Sequence, residues 1–170
     1  MGLCEYVILG HSERRQYFGE TNEIVNKKIR AALKVGLKPI LCVGESPAQY
    51  EAGKTDAVVN DQITGSLKDI AASNNLVISY EPIWAIGTGK AATGEQANQV
   101  IGFIRKIVAR LYGDDFSQSL RILYGGSMTA DNIAEFIGQN EIDGGLVGGA
   151  SLKVDEFVKI ITKTGLAKKT

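Results

Sequence analysis

One carboxylate, Glu81, stands between an apolar run and a loop that contains proline and glycine. The run 76–80 is short, β-branched and aromatic, which is typical of a buried parallel strand. Pro82 fixes φ at the strand end, whereas Gly87 and Gly89 permit backbone dihedrals that other residues resist. The pattern predicts a catalytic base beneath a loop that closes as a unit. The alternative is an ordinary strand-end turn with an exposed glutamate.

A second group of reactive side chains follows the apolar run 6–9. Residues 10–15 read Gly-His-Ser-Glu-Arg-Arg and place an imidazole, a carboxylate and two guanidinium groups together. At a helix start the positive end of the helix dipole disfavours a charged His11, which leaves a neutral ring able to donate a hydrogen bond. The alternative is a structural histidine in a surface salt-bridge cluster. His11 is the only histidine, so a multi-histidine metal centre is excluded.

Paired glycines end two later apolar runs. Gly125 and Gly126 precede Ser127, and Gly148 and Gly149 follow the next run. Backbone N–H groups without neighbouring side chains can surround an oxyanion, and a short helix starting at the second pair would add its N-terminal partial charge. Tight packing explains a single pair equally well. Two pairs on adjacent strands favour a phosphate site.

The elements that must position these groups alternate between strands and helices. Helical periodicity separates five apolar runs, and the best-marked helix has Thr21 as a possible N-cap and Gly36 as a stop. The pattern predicts an α/β fold with a parallel sheet and ligands at the carboxyl ends of its strands. The predicted strands are 6–9, 40–43, 76–80, 121–124 and 145–147. The helical faces are 25–33, 59–70, 97–111, 132–137 and 154–161.

The overall composition of the chain limits which classes of protein function are expected. The 170 residues are 44% hydrophobic, and we expect a single domain over residues 1–170. Zero formal net charge leaves no electrostatic footprint for nucleic acid or an anionic membrane. No membrane span or signal peptide is visible, so we expect a cytoplasmic protein. Cys4 and Cys42 lack CxxC spacing and are expected to be buried structural cysteines.

Four segments together resemble the signature segments of the triosephosphate isomerase family. They are residues 6–15, 80–90, 124–127 and 146–152, and their order and spacing also match. The resemblance implies a partial TIM (β/α)8 barrel of about five βα units. It also implies an isomerase of glycolysis and gluconeogenesis that interconverts dihydroxyacetone phosphate and glyceraldehyde 3-phosphate through an enediol. No metal or organic cofactor is expected.

The resemblance also assigns roles to individual residues. Glu81 is similar to the base that moves a proton between two carbons, and His11 to the neutral electrophile that polarises the carbonyl oxygens. Glu13 resembles a supporting catalytic carboxylate beside the histidine. The expected phosphate contacts are Gly87 in the closing loop, Ser127, Gly148 and Gly149.

The chain departs from the family pattern at its amino-terminal side. The family has eight βα units, and the five here begin at what would be the fourth strand. We therefore expect the first three units to be absent from this chain, together with the family's Asn and Lys. Losing a positioned charge opposite a developing oxyanion costs about 3 kcal/mol of transition-state stabilisation. The uncovered sheet edges predict self-association, as a homo-oligomer or with a complementing amino-terminal fragment. A catalytically incomplete phosphate-binding fragment and a structural protein on the same scaffold are the alternatives.

Gly94, where relatives often have proline, is expected to loosen a helix start.

Overall fold

One parallel sheet organises the residues that the computed structural model describes, which are 3–86 and 92–167. Its five strands lie in the order β1-β2-β3-β4-β5. Each strand lies beside the next one along the chain, so the order never reverses as it does in a doubly wound sheet. This arrangement confirms the predicted α/β class and fits part of a (β/α)8 barrel. The strands are β1 (Tyr6–Leu9), β2 (Lys38–Val43), β3 (Val77–Tyr80), β4 (Arg121–Tyr124) and β5 (Gly144–Gly145).

Helices connect the strands. Single 3-10 turns, Ile83–Ala85 and Gly149–Leu152, follow β3 and β5. No helix in the described ranges is long and apolar enough to cross a bilayer. The helices are α1 (Ser12–Phe18), α2 (Asn22–Lys34), α3 (Pro47–Glu51), α4 (Thr55–Ser66), α5 (Gly94–Tyr112), α6 (Asp114–Ser119), α7 (Ile133–Ile137) and α8 (Val154–Ala167).

Helix α2 forms as its caps predict. The Thr21 side chain accepts a hydrogen bond from the N–H of Ile24 at 3.4 Å, which satisfies one of the free donors of the first turn. Gly36 follows the helix with φ of 78°, a left-handed conformation that suits glycine. Val25 and Ile29 on the apolar face are fully buried. Both predicted ends of this helix are therefore confirmed.

Several element boundaries differ from the sequence-based prediction. Strand β2 begins at Lys38 instead of 40, and β3 begins at Val77 instead of 76. The predicted fifth strand, 145–147, is observed as Gly144–Gly145. The Leu146 N–H still donates to the Tyr124 carbonyl at 2.8 Å, so the ladder continues one residue before the chain enters its glycine loop. Helix α4 ends at Ser66, so Leu67 of the predicted face lies beyond it and caps its end. Leu67 remains buried because it packs in the core without being helical.

Helix α5 begins at Gly94 and is capped there; the expectation that Gly94 loosens this helix start stays a prediction. Thr93 and Gln96 cap the helix reciprocally, each side chain accepting from the other residue's backbone N–H. The Gly94 N–H also donates to Glu135 Oε1 at 2.6 Å. An added Cβ at Gly94 would lie 2.6 Å from the Glu135 carbonyl oxygen. Glycine thus allows α5 to approach α7 closely.

Several apolar or thiol side chains lie at the surface. Cys4 is exposed in the segment before β1, so the prediction that both cysteines are buried is wrong for Cys4. Cys42 lies inside β2 and is buried as predicted. On β1 the alternate residues Tyr6 and Ile8 are 38% and 46% exposed, while Leu9 on the opposite face packs in the core. The described structure therefore leaves one face of β1 uncovered.

Candidate active site

Glu81 follows β3 directly and lies inside the protein. Its relative exposure is 2%, so the alternative of an exposed strand-end glutamate is wrong. The Ser12 N–H donates to Glu81 Oε2 at 3.2 Å, and His11 Nε2 lies 3.4 Å from Oε1. The loop after β1 therefore meets the carboxylate that follows β3. Parallel strands make this contact possible because their carboxyl ends share one edge of the sheet.

Burial sets the protonation behaviour of this carboxylate. Removal from water raises the pKa of Glu81, while His11, the Cys42 thiol and the Ser12 N–H act in the opposite direction. Burial also raises the pKa of Cys42 well above its usual value, and the Glu81 charge adds to that shift. The thiol therefore stays protonated beside the carboxylate. A buried carboxylate with a raised pKa at a cavity is suited to proton transfer.

A second buried carboxylate, Glu20, shows the opposite behaviour. Burial acts to raise its pKa, but hydrogen bonds and charge from Lys28 and Arg14 outweigh burial, and the pKa of Glu20 is lowered. This carboxylate is an ion-pair partner that stays ionised. Glu81 differs because a neutral thiol, a backbone N–H and an imidazole surround it.

His11 is the N-cap of α1, and the cap fixes its tautomer. Its Nδ1 accepts a hydrogen bond from the Glu13 N–H at 3.4 Å. A nitrogen that accepts a hydrogen bond carries no proton, so the neutral ring has its proton on Nε2, the nitrogen that faces Glu81. The contact from Glu13 to the ring thus comes from its backbone, and its side chain is exposed.

A buried polar cluster holds the chain on both sides of Glu81. Glu45 is fully buried, and its Oε1 accepts from the Tyr80 hydroxyl at 3.1 Å and from Trp84 Nε1 at 2.7 Å. The Trp84 ring stacks on Tyr50 with centroids 4.1 Å apart. These contacts fix the residue before Glu81 and the 3-10 turn after it. The Glu81 side chain therefore projects from a rigid segment of backbone.

A cavity of about 920 Å³ connects Glu81 with both glycine loops. His11, Glu13 and Glu81 line one side of it, and Ser127, Gly148 and Gly149 line the other. Gly148 and Gly149 are exposed and begin the 3-10 turn after β5. Six of the seven predicted site residues thus share one cavity; the seventh, Gly87, lies outside the described residues.

Sequence reasoning missed further residues at this site. Cys42 lies opposite Ser79 in the β2–β3 register, which places it on the same face as Glu81. Lys153 and Ile8 line the cavity. The alternation of side chains along β2 and β3 was the only sequence signal for Cys42. The contact with Glu81 also depends on the register between the two strands, which the sequence does not show.

Comparison with known proteins agrees with this geometry. The family model described as triosephosphate isomerase matches residues 2–164. The chain belongs to the triosephosphate isomerase family. Proteins named triosephosphate isomerase are similar to this chain. The identity is 58% over 160 aligned residues in Chloroherpeton thalassium, 55% over 160 in Dictyoglomus thermophilum and 59% over 158 in Acetivibrio thermocellus. These alignments cover 93%, 93% and 92% of this chain but 64%, 64% and 63% of the relatives. The chain therefore spans under two thirds of the length of these triosephosphate isomerase relatives.

Proposed function

We propose that this chain carries the proton-transfer chemistry of triosephosphate isomerase, interconverting dihydroxyacetone phosphate and glyceraldehyde 3-phosphate. The observation that carries the proposal is the buried Glu81, which contacts His11 and the Ser12 N–H at one end of a cavity whose other side holds Ser127, Gly148 and Gly149. Family membership supplies the reaction, and this geometry supplies groups of the required chemistry. The setting would be glycolysis and gluconeogenesis in the cytoplasm.

Glu81 is proposed to be the base. In its ionised form it takes a proton from one carbon of the triose and returns it to the neighbouring carbon, through an enediol. Burial raises the pKa of this carboxylate and so raises its affinity for the proton it must remove. The buried Glu45 cluster with Tyr80 and Trp84 fixes its backbone, so little reorganisation accompanies the transfer.

His11 is proposed to be the electrophile. With Nδ1 accepting from Glu13, the neutral ring offers an Nε2–H donor on the side of the base. Donation to a substrate carbonyl oxygen would stabilise the negative charge that develops when Glu81 removes the proton. Glu13 would assist through the backbone N–H that holds this tautomer, and its exposed carboxylate lines the same cavity.

The glycine side is proposed to hold the phosphate. Gly148 and Gly149 lie at the start of a 3-10 turn, where free N–H groups suit an anion, and Ser127 faces the same space. Gly87 is proposed to add a backbone contact when the loop after Ala85 closes. Closure would exclude water and protect the enediol.

A second candidate is a catalytically incomplete phosphate-binding part of the barrel. It is supported by uncovered apolar surface: Tyr6 and Ile8 on β1 are 38% and 46% exposed, and Val154, Val158 and Ile161 on α8 are 76%, 55% and 55% exposed. We infer that a homo-oligomeric partner or an amino-terminal fragment of three βα units covers these faces. In that case the residues 1–170 form one domain that needs its partner for full activity.

Isomerisation assays test both candidates. The chain is assayed alone and after mixing with a peptide that covers the three amino-terminal βα units of a relative. Glu81→Gln is the test variant, and Glu51→Gln, at an exposed residue, is the control. The mixture is expected to be active, and Glu81→Gln is expected to lower its rate about 10³-fold. A parent-like rate in Glu81→Gln would contradict the role of Glu81. Equal activity of the chain alone and the mixture would contradict the need for a partner.

A further inference from the structure

Arg15 lies behind the turn that presents His11 and Ser12 to Glu81. Its Nε donates to the Gly10 carbonyl oxygen at 2.8 Å, and its Nη1 donates to Asn22 Oδ1 at 2.8 Å. One side chain thus links the end of β1 to the start of α2.

Asn22 extends this link to a third helix. Its Nδ2 donates to the Asp61 carboxylate on α4 at 2.9 Å and lies 3.3 Å from the Asp61 carbonyl oxygen. Helices α2 and α4 also pack together, and an added Cβ at Gly65 would lie 2.9 Å from Asn22 Cβ. Through Asn22 and Asp61, the Gly10 carbonyl is therefore linked to helices α2 and α4.

The guanidinium packs directly against the backbone of Gly10. Gly10 has φ of 69°, and an added Cβ there would lie 2.9 Å from Arg15 Nη2 and 3.2 Å from the Cys42 carbonyl oxygen. Nη2 is buried and has no hydrogen-bond partner within the described part of the chain. Glycine at position 10 therefore leaves the space that the guanidinium occupies beside the turn.

We propose that Arg15 is a positioning residue for Glu81, because its guanidinium holds the Gly10 carbonyl and so keeps His11 and Ser12 in contact with the carboxylate. The proposal rests on the proposed role of Glu81 as the base. Arg15 acts through the Gly10 turn and not on the substrate: its side chain lies on the side of the turn facing α2. The planar fork is needed because two donors in fixed geometry reach Gly10 and Asn22 together, whereas a lysine ammonium offers a single charged point.

The titration of Glu81 reports this positioning directly. The groups acting on Glu81 are His11 after β1, Cys42 on β2 and the Ser12 N–H at the start of α1. Burial lowers the pKa of Arg15, while the negative charges of Glu20, Glu81 and Asp61 favour its charged form. If the Gly10 turn relaxes, Ser12 and His11 move away from the carboxylate, and the pKa of Glu81 rises further.

The experiment is a ¹³C carboxyl NMR titration of the full chain. The Glu81 signal is assigned by its loss in Glu81→Gln. Arg15→Gln and Arg15→Lys are compared with Arg110→Gln, which removes the same charge from an exposed site on α5. Both Arg15 variants are expected to shift the Glu81 titration to higher pH, with the lysine variant giving at least half of the shift in the glutamine variant. Arg110→Gln is expected to titrate like the parent.

The outcomes separate positioning from simple charge. A parent-like titration in Arg15→Lys would overturn the proposal, since charge alone would then be sufficient. Asn22→Ala tests the same link without changing Arg15, and a smaller upward shift is expected; no shift in this variant would also overturn the proposal. If the Arg15 variants lose the native amide spectrum, the Asn22→Ala titration alone tests the proposal. The titration needs no substrate, so its result is independent of whether the chain isomerises trioses.

Discussion

The two sides of the cavity are built in opposite ways. On the proposed base side, after β1 to β3, Glu81, Cys42 and Ser12 are held in the interior at 2%, 0% and 8% exposed, while the Glu13 side chain is exposed. The phosphate side, after β4 and β5, is exposed at Ser127 and Gly149. A carboxylate that moves protons gains from burial, because burial raises its pKa. Backbone donors for a phosphate must instead remain open to the ligand.

The glycines around the cavity also fall into two groups. An added Cβ at Gly44 would lie 1.8 Å from the Glu81 carbonyl oxygen, and one at Gly125 would lie 2.9 Å from Glu81 Cγ. An added Cβ at Gly148 or Gly149 meets nothing within 4 Å. Gly44 after β2 and Gly125 after β4 thus make room for the protein itself. Gly148 and Gly149 after β5 leave room for a ligand, and substitutions should separate the two cases.

Gly44→Ala is expected to have the largest effect. The added Cβ collides with backbone rather than with a flexible side chain, so β2 and the segment around Glu81 must separate. We expect a loss of about 3 kcal/mol in the free energy of unfolding, measured by urea denaturation. A loss below about 1 kcal/mol would show that the two strand ends are loosely packed.

Gly125→Ala is expected to have an intermediate effect. Its added Cβ would lie 2.5 Å from Ser79 Oγ and 2.9 Å from Glu81 Cγ, so side chains rather than backbone must move. We expect a loss of about 2 kcal/mol in unfolding free energy. The Glu81 carboxyl signal in ¹³C NMR should move as well. An unchanged signal would mean that the β4 loop does not constrain the base.

Gly149→Ala is expected to affect binding and not stability. Its added Cβ meets no protein atom, so the free energy of unfolding should stay within about 0.5 kcal/mol of the parent. The methyl group would block the approach of an oxyanion to the backbone, and affinity for inorganic phosphate should fall about tenfold, or ~1.4 kcal/mol. Calorimetric titration measures this change. Parent-like affinity would place the phosphate elsewhere.

The pH dependence of stability gives the smallest and most selective test. Because burial raises the pKa of Glu81 in the folded state, folding favours its protonated form. That stabilisation is complete below the ordinary value near 4.5 and is lost as the pH rises through the folded-state pKa. The free energy of unfolding of Glu81→Gln, relative to that of the parent, should therefore increase as the pH rises above 4.5. Urea denaturation at several pH values measures this difference.

Glu20→Gln provides the contrasting case. The lowered pKa of Glu20 stabilises the fold above its ordinary value, and this contribution is lost as the pH falls through the folded-state pKa. The variant should therefore be less stable than the parent at neutral pH, and the difference should shrink in acid. The same pH trend in both variants would contradict the assignment of one carboxylate to proton transfer and the other to ion pairing.

Local patterns in the sequence predicted much of the fold. The apolar runs of β1 and β4 and the caps of α2 depend on neighbouring residues, and the structure has them at the predicted positions. The end of β5 was less predictable because it depends on pairing with β4, which lies far away in the sequence. Cys4 was misjudged because an apolar neighbourhood in sequence does not show which surface the folded chain leaves uncovered.

The candidate site was predictable in its residues and not in its contacts. Glu81, His11 and the glycine loops are marked by their position after apolar runs and by family resemblance. The Cys42 contact and the Arg15 anchor depend on strand register and helix packing, which local periodicity does not specify. The hydrogen bonds of Glu45 to Tyr80 and Trp84 likewise join residues 35 and 39 positions apart.

The central claim is that Glu81 moves a carbon-bound proton of the triose. Solvent exchange tests it most directly: dihydroxyacetone phosphate is incubated in D₂O with the chain and the three amino-terminal βα units, and deuterium at carbon is followed by ¹H NMR. The account predicts deuterium incorporation by the parent and by Glu51→Gln, and a rate about 10³-fold lower for Glu81→Gln. Incorporation at the parent rate in Glu81→Gln would contradict it.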